Sequence, residues 1–137
     1  MTQEEIKNLM AKAEAGDAAA QRTLGNCYYY EDGVSKDEQK AFEWNLKAAQ
    51  GGDADAQNFV AVRYQNGDTV SQDYEKAAEW FLKAAEQGHA VAQFNLGTAY
   101  ISGLGVPKDL SLAKRWVERA AQSGYNLAKE FLEFYFS

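Results

Sequence analysis

Apolar residues recur along the chain at the spacing of helix faces. They stand at i, i+4 and i+8 between residues 90 and 102, and at i, i+3, i+4, i+7 and i+8 between residues 110 and 122. Both spacings are typical of an amphipathic α-helix that packs one face on a core. The positions are Ala92, Leu96 and Tyr100 in the first segment, and Ala113, Trp116, Val117, Ala120 and Ala121 in the second. The pattern predicts two consecutive helices, which we name helix A and helix B.

The helix pair is repeated every 36 residues. Many positions keep one register through three copies, which chance similarity would not do: Gln21, Gln57 and Gln93; Tyr28, Tyr64 and Tyr100; Val34, Val70 and Val106; Asp37, Asp73 and Asp109; Trp44, Trp80 and Trp116; Ala49, Ala85 and Ala121; Gly52, Gly88 and Gly124. The repeat predicts copies at about 17–52, 53–88 and 89–124, with a capping helix at 2–15 and a lone helix A at 126–137. We therefore expect an all-α fold and a single domain over residues 1–137.

Each helix has sequence signals at its ends. Asp37, Asp73 and Asp109 stand where helix B needs an N-cap, and Gly52, Gly88 and Gly124 stand where it ends. The turns between A and B read EDGVSKD, GDTVSQD and GLGVPKD. No Gly-Lys-Ser/Thr follows the Gly103-x-Gly105 pair, which favours a turn over a phosphate-binding loop. Alanine pairs in helix B, with Gly25 and Gly97 in helix A, are expected to let helices approach closely, and the three tryptophans to be buried.

The segment from Ala90 to Gly124 fits A-x-A-Q-x-x-L-G-x-x-Y-x-x-G-x-G-V-x-x-D-x-x-x-A-x-x-W-x-x-x-A-A-x-x-G. This pattern resembles the Sel1-like repeat family, a relative of the tetratricopeptide repeats, and the resemblance covers nearly the whole chain. It implies a right-handed α-solenoid of antiparallel helix pairs that works as an adaptor between other proteins. Some secreted members carry a cysteine pair in each repeat and have been linked to β-lactams. The single Cys27 does not support membership of that subclass.

The last predicted helix adds aromatic residues to the repeat pattern. Phe131, Phe134 and Tyr135 lie beside the repeated apolar positions Ala128, Leu132 and Phe136, and no helix B follows to cover them. An apolar face of this kind indicates an interface, of which homodimerisation through this helix is the simplest form. The alternative is that the three aromatic side chains fold back over the last repeat.

Composition limits the partners and the location. Fourteen Lys and Arg against twenty Asp and Glu give a net charge of −6, which argues against nucleic acid and anionic membranes as partners. The first residues contain no apolar run of signal-peptide or membrane-span length. We expect a cytoplasmic protein, unless a signal has been removed.

The residues do not suggest an enzyme. His89 is the only histidine, and its register places it at a helix start rather than in a catalytic group. Neither histidine nor cysteine occurs in pairs that would hold a metal ion. Glu38, Glu43, Glu75, Glu79 and Glu86 alternate with lysines on the B helices, as on a solvated face. We therefore predict no catalytic residue, no cofactor and no metal, and a hydrolase-type activity ranks third among the functions considered.

Binding residues are expected where the copies differ and the side chains face away from the core. By resemblance to tetratricopeptide-type solenoids, the A helices line a concave groove that takes a peptide or a helix of a partner. The candidates are Arg22, Asn26, Tyr29, Tyr30, Asn58, Val62, Gln65, Phe94, Thr98, Ile101 and Phe134. The alternative for Tyr29, Tyr30 and Phe94 is that they pack between adjacent A helices. Arg22 and Asn26 resemble the start of a carboxylate clamp, which Val62 and Phe94 leave incomplete.

Overall fold

The computed structural model describes residues 1–136. Over these residues it contains eight helices and no strand, which confirms the all-helical class. The helices are α1 (Gln3–Glu14), α2 (Ala18–Tyr30), α3 (Glu38–Gln50), α4 (Ala54–Asn66), α5 (Tyr74–Glu86), α6 (Ala90–Ser102), α7 (Leu110–Gln122) and α8 (Asn126–Tyr135). The predicted bounds 90–102 and 110–122 are confirmed. Ser137, included in the predicted last helix, lies outside the described residues.

The chain forms two compact units. The first, Met1–Val60, contains α1, α2 and α3, and α2 packs on both of the others. The second begins at Ala61 and contains α5, α6, α7 and α8, each packed on the next. The boundary falls within α4. That the chain is a single domain stays a prediction.

The predicted caps of the B helices are confirmed. The carboxylates of Asp37, Asp73 and Asp109 each accept a hydrogen bond from the backbone N–H three residues later, at 3.0 Å. Each side chain therefore satisfies one of the first-turn amides that a helix leaves unpaired. His89 does the same for α6, because its Nδ1 accepts from the N–H of Ala92 at 3.1 Å. The histidine is thus a half-buried capping residue, as its position at a helix start predicts.

A buried glutamine joins each helix A to the helix B before it. The Nε2 atoms of Gln21, Gln57 and Gln93 donate to backbone carbonyls eight residues earlier, at 3.1 Å in each copy. These carbonyls lie in the last turns of helices, and each also accepts a hydrogen bond from the backbone N–H of the glycine three residues later. The bond explains why glutamine keeps its register through the three copies.

The turns from A to B need two residues in the left-handed backbone region. The first is Glu31, Gly67 or Gly103, and the second is Gly33, Thr69 or Gly105. All six have φ between 57° and 82°. Glycine adopts this conformation without a steric cost, whereas Glu31 and Thr69 adopt it despite the steric cost of their Cβ atoms. This conserved geometry explains why Gly appears at different turn positions in different copies.

The core consists of small residues and a few large apolar ones. At Gly97 an added Cβ would lie 2.7 Å from Cγ2 of Val117, which confirms the close approach of helices A and B. The prediction that the tryptophans are buried is wrong. Trp44, Trp80 and Trp116 are half-buried, and each has a cation 4.5–4.6 Å from its ring, supplied by Lys47, Lys83 and Arg119. An indole ring that is partly buried and partly exposed is stabilised by a cation that lies over the ring.

Candidate protein-binding site

Three of the predicted residues surround one depression on the first unit. Arg22, Asn26 and Tyr30 follow one another at four-residue steps along α2, so they lie on the same face of the helix. The depression measures about 180 Å³ and is also lined by Met1, Thr23, Cys27 and Asp32. The structure thus brings together part of the predicted surface. The remaining predicted residues lie outside this depression.

The guanidinium of Arg22 is already paired. Its Nε lies 3.1 Å from a carboxylate oxygen of Asp53 and 3.9 Å from one of Asp55. Asp53 is only 13% exposed in its side chain and also caps α4, accepting from the N–H of Ala56 at 2.9 Å. Two carboxylates beside one guanidinium leave no net positive charge there. This pairing argues against the capture of a C-terminal carboxylate by Arg22.

The two adjacent tyrosines have different surroundings. Tyr29 is half-buried and packs edge-to-face on Phe59, with ring centroids 5.3 Å apart. Tyr30 packs on Tyr29 at 5.0 Å but keeps 72% of its surface exposed. For Tyr29 the alternative of packing against a neighbouring A helix is therefore correct, because Phe59 lies on α4. Tyr30 is the aromatic side chain of this pair that faces solvent.

Neither Cys27 nor the amino group of Met1, which both line the depression, is a reactive group. Cys27 is buried with its Sγ 3.7 Å from Sδ of Met1. Burial raises the pKa of its thiol, so the cysteine stays protonated and is a poor nucleophile and metal ligand. The amino group of Met1 donates to a carboxylate oxygen of Asp32, and this bond raises the pKa of the amine.

Phe94 is not an exposed anchor, so its prediction as a groove residue is corrected. It is 8% exposed and belongs to the core of the second unit. Its ring makes edge-to-face contacts with Tyr125 at 5.6 Å and with Phe131 at 5.3 Å. The predicted helix register was right, but the aromatic residues of α8 fill the space into which Phe94 points.

The other predicted groove residues lie on α4 and α6. Asn58, Val62, Gln65, Thr98 and Ile101 are all half-buried. The hydroxyl of Thr98 donates to the backbone carbonyl of Asn95 at 2.8 Å, which is a local helix contact. The backbone carbonyl of Gln65 accepts from Nε2 of Gln72 at 2.8 Å. No ligand contact can be assigned to these five residues from their surroundings.

The aromatic residues of α8 divide between the two expected arrangements. Phe131 folds back on Phe94 and stacks on Tyr135, with ring centroids 5.2 Å apart. Phe134 points into solvent and is 88% exposed. Tyr135 is half-exposed. Fold-back is therefore the arrangement of Phe131, while Phe134 leaves an apolar side chain uncovered.

Sequence reasoning missed a cleft on the first unit. It measures about 540 Å³, and its lining residues come from α1, α2 and α3: Met10, Glu14, Leu24, Tyr28, Lys40, Glu43, Trp44, Leu46, Lys47 and Gln50. Two of its cations lie over aromatic rings, Lys40 over Tyr28 at 5.4 Å and Lys47 over Trp44 at 4.6 Å. The repeat pattern assigned these positions to the scaffold. The sequence signal that could have indicated an open surface is Lys47, a charged residue three positions after Trp44.

No group of three or more His, Cys, Asp or Glu side chains within residues 1–136 is arranged to hold a metal ion. In the same range no helix has the length and apolar character required to cross a membrane. The cytoplasmic location stays a prediction.

Comparison with protein families shows which family the chain belongs to. The Sel1 repeat matches three times in succession, at residues 18–53, 54–89 and 90–125. The chain belongs to the Sel1 repeat family. The matched segments begin one residue after the predicted copies and keep their period of 36. A search of curated proteins finds no match.

Solved structures of Sel1 repeat proteins resemble this chain. A Sel1 repeat protein from Oxalobacter formigenes is 37% identical, with a TM-score of 0.89 over 94% of this chain and 97% of its own. The protective antigen c5321 of uropathogenic Escherichia coli is 36% identical with a TM-score of 0.85, and the match covers 93% of this chain but 28% of that one. Helicobacter pylori cysteine-rich protein B is 25% identical, with a TM-score of 0.73 over 93% of this chain and 96% of its own.

Family membership supports a general role. Sel1 repeat proteins are generally scaffolds for protein–protein interaction. The fixed positions of the Sel1 repeat are those that form the caps, the glutamine bonds and the close helix crossings described above.

Proposed function

We propose that this protein is an adaptor that binds an extended segment of a partner protein on the face of α2 formed by Arg22, Asn26 and Tyr30. The observation that supports this most is Tyr30, which is 72% exposed beside a depression with polar walls. A tyrosine supplies a large apolar contact and a hydroxyl while losing little side-chain entropy.

The size of the depression favours a peptide over a small molecule. Sites for cofactors and drug-sized ligands usually measure about 300–1,000 Å³. The depression of about 180 Å³ is smaller and has room for a single side chain of a partner. A partner segment would place one side chain in it and lay its main chain along Asn26 and Tyr30.

Replacing Tyr30 by aspartate tests this proposal. The probe is a set of peptides selected on the wild-type protein from a phage-displayed library of random sequences. We expect Tyr30→Asp to weaken the selected peptides about 30-fold, the effect of losing one central aromatic contact. Fluorescence anisotropy of labelled peptides measures the affinity. Thermal unfolding followed by circular dichroism should change little, because the side chain is largely exposed.

The matched control is Glu14→Arg, a charge change at the cleft between α1 and α3. Glu14 lines the cleft and is exposed, so this variant should bind the same peptides as tightly as wild type. If Tyr30→Asp binds normally while Glu14→Arg loses binding, the partner occupies the cleft and the proposed face is wrong.

Self-association through α8 is a second candidate function. Phe134, Tyr135 and Leu127 are 88%, 50% and 48% exposed, and their spacing of i, i+7 and i+8 places them on one helix face. An isologous contact between two copies would cover this face in both chains. The occupant in this proposal is a second copy of the chain.

Replacing Phe134 by aspartate tests self-association. We expect wild type to show twice the chain mass of 15.2 kDa in size-exclusion chromatography with light scattering, and Phe134→Asp to show the mass of one chain. Lys129→Asp changes an exposed residue elsewhere on α8 and should remain dimeric. A wild-type mass of one chain at the highest concentration reached would exclude this function.

A further inference from the structure

A buried asparagine lies directly behind the proposed binding face. Asn45 of α3 is 0% exposed and is one of the largest fully buried side chains. Its counterparts 36 and 72 residues later are Phe81 and Val117, which are buried and apolar. A polar side chain at a core position carries a desolvation cost unless it is hydrogen-bonded. The first copy therefore has a polar side chain at a core position that is apolar in the other two copies.

The hydrogen bonds of Asn45 determine the orientation of its amide. Its Nδ2 donates to the backbone carbonyl of Ala41 at 3.0 Å and to Oδ1 of Asn26 at 3.5 Å. Its Oδ1 is buried without a hydrogen-bond partner. Exchanging the two ends of the amide would place Oδ1 against the carbonyl of Ala41, and two acceptors repel each other. The amide of Asn45 is therefore held with its nitrogen toward Asn26.

This orientation determines what Asn26 presents to a partner. Because Oδ1 of Asn26 accepts from Asn45, its Nδ2 is the end of the amide left to face the depression. An amide nitrogen donates hydrogen bonds and does not accept them. The depression therefore offers a fixed donor, and its ligand must bring an acceptor.

Charge around the depression selects the kind of acceptor. Arg22 is paired with Asp53 and Asp55, and the amino group of Met1 is paired with Asp32, whose side chain is half-exposed. The exposed Glu31 lies beside it in the chain. These four carboxylates outnumber the two cations, Arg22 and the amino group of Met1, so a carboxylate ligand would meet net repulsion, whereas a neutral carbonyl would not. Positive side chains near that carbonyl would be attracted to the same groups.

We propose that Asn45 is a positioning residue that orients Asn26 to bind a main-chain carbonyl in a positively charged segment of a partner protein. This inference rests on the proposed function, because it concerns the same face of α2. Asn45 itself does not contact the ligand. Its role is to hold the amide of Asn26 in one orientation before the partner arrives.

The third repeat supplies a substitution that separates this role from stability. Val117 occupies the position of Asn45 and packs against Gly97, and Asn45 packs in the same way against Gly25. Asn45→Val should therefore fit the crossing and remove a buried polar group. We expect its melting temperature to equal or exceed that of wild type. A variant that loses binding but not stability cannot owe the loss to unfolding.

The test is a double-mutant cycle with peptides selected on the wild-type protein from a phage-displayed random library. We expect Asn45→Val and Asn26→Ala each to weaken the peptides about tenfold, and the double variant to lose no more than either alone. Replacing Lys or Arg by Gln in the peptides should also weaken them. In wild type, the side-chain amide signal of Asn26 in a ¹H–¹⁵N spectrum should shift on peptide binding.

Each other outcome decides against the inference in a different way. If the peptides bind Asn45→Val as tightly as wild type while Tyr30→Asp loses them, the positioning role is wrong and the proposed function stands. If the losses from Asn45→Val and Asn26→Ala multiply, the two residues act independently and the positioning role is wrong. If no peptide is selected, both the inference and the proposed function are wrong. Selected peptides that lack positive charge contradict the predicted class of partner.

Discussion

Replacing Gly105 by alanine should destabilise the second unit by about 3 kcal/mol or more. Two effects act together at this position. Its φ of +82° is a backbone conformation that residues with a Cβ rarely adopt. In addition, an added Cβ would lie 2.0 Å from the carbonyl oxygen of Tyr74, at the start of α5. Since the obstacle is backbone at a helix N-terminus, it cannot move aside as a flexible side chain would.

Gly88→Ala is the matched control for Gly105→Ala. Gly88 has a φ of +92°, and an added Cβ there would meet no atom within 4 Å. This variant should lose only the conformational part, about 1 kcal/mol. Urea unfolding of both variants measures the difference. Equal losses would show that the contact between the Gly105 turn and α5 is absent.

Phe81→Ala should be the most costly truncation of a large core side chain, at about 4 kcal/mol. Phe81 is 1% exposed and is among the largest fully buried side chains of the described residues. Trp80, the preceding residue on α5, is half-buried, and Nζ of Lys83 lies 4.6 Å from the centroid of its ring. Its truncation leaves less of a cavity, and we expect Trp80→Ala to lose about 2 kcal/mol.

The two truncations reverse an expectation drawn from the repeat pattern. Tryptophan occupies the same repeat position in all three copies. The position after it varies and is Asn45, Phe81 and Val117 in the three copies. A ranking by repetition would therefore make Trp80 the more costly loss. Urea unfolding of both variants under the same conditions decides between burial and repetition. A larger loss for Trp80→Ala would contradict the burial described here.

Helix ends were predictable from sequence because their chemistry is local. An aspartate that caps a helix needs only its own backbone and the next three residues, so Asp37, Asp73 and Asp109 could be assigned from spacing. The same holds for the capping box of Thr2 and Glu5, whose two hydrogen bonds measure 3.2 and 3.1 Å. Periodicity of apolar residues supplied the remaining information about the helices.

The burial of single side chains was less predictable because it depends on distant segments. Phe94 and Tyr30 were both assigned to exposed places on helix A, yet one is core and the other faces solvent. The difference lies in Phe131 and Tyr125, which cover Phe94 from outside its own helix. Periodicity within one helix contains no information about which neighbour fills the space beside it.

The polar residue behind the proposed binding face was also hidden from sequence reasoning. Asn45 occupies a core position by register, and asparagine is a common residue of exposed helix faces. The role proposed for Asn45 depends on its 3.5 Å contact with Asn26 and on its hydrogen bond to the carbonyl of Ala41, and only a structure shows these contacts. The sequence did contain one clue, since the other copies have apolar residues at this position.

The most direct test of the binding face is photo-crosslinking from Tyr30. The photoreactive residue p-benzoylphenylalanine replaces Tyr30 in one variant and Glu43, on the rim of the cleft, in another. A labelled peptide selected on the wild-type protein is then irradiated with each. The proposed function predicts a crosslink from position 30 and none from position 43. A crosslink from position 43 alone would contradict it and assign the partner to the cleft.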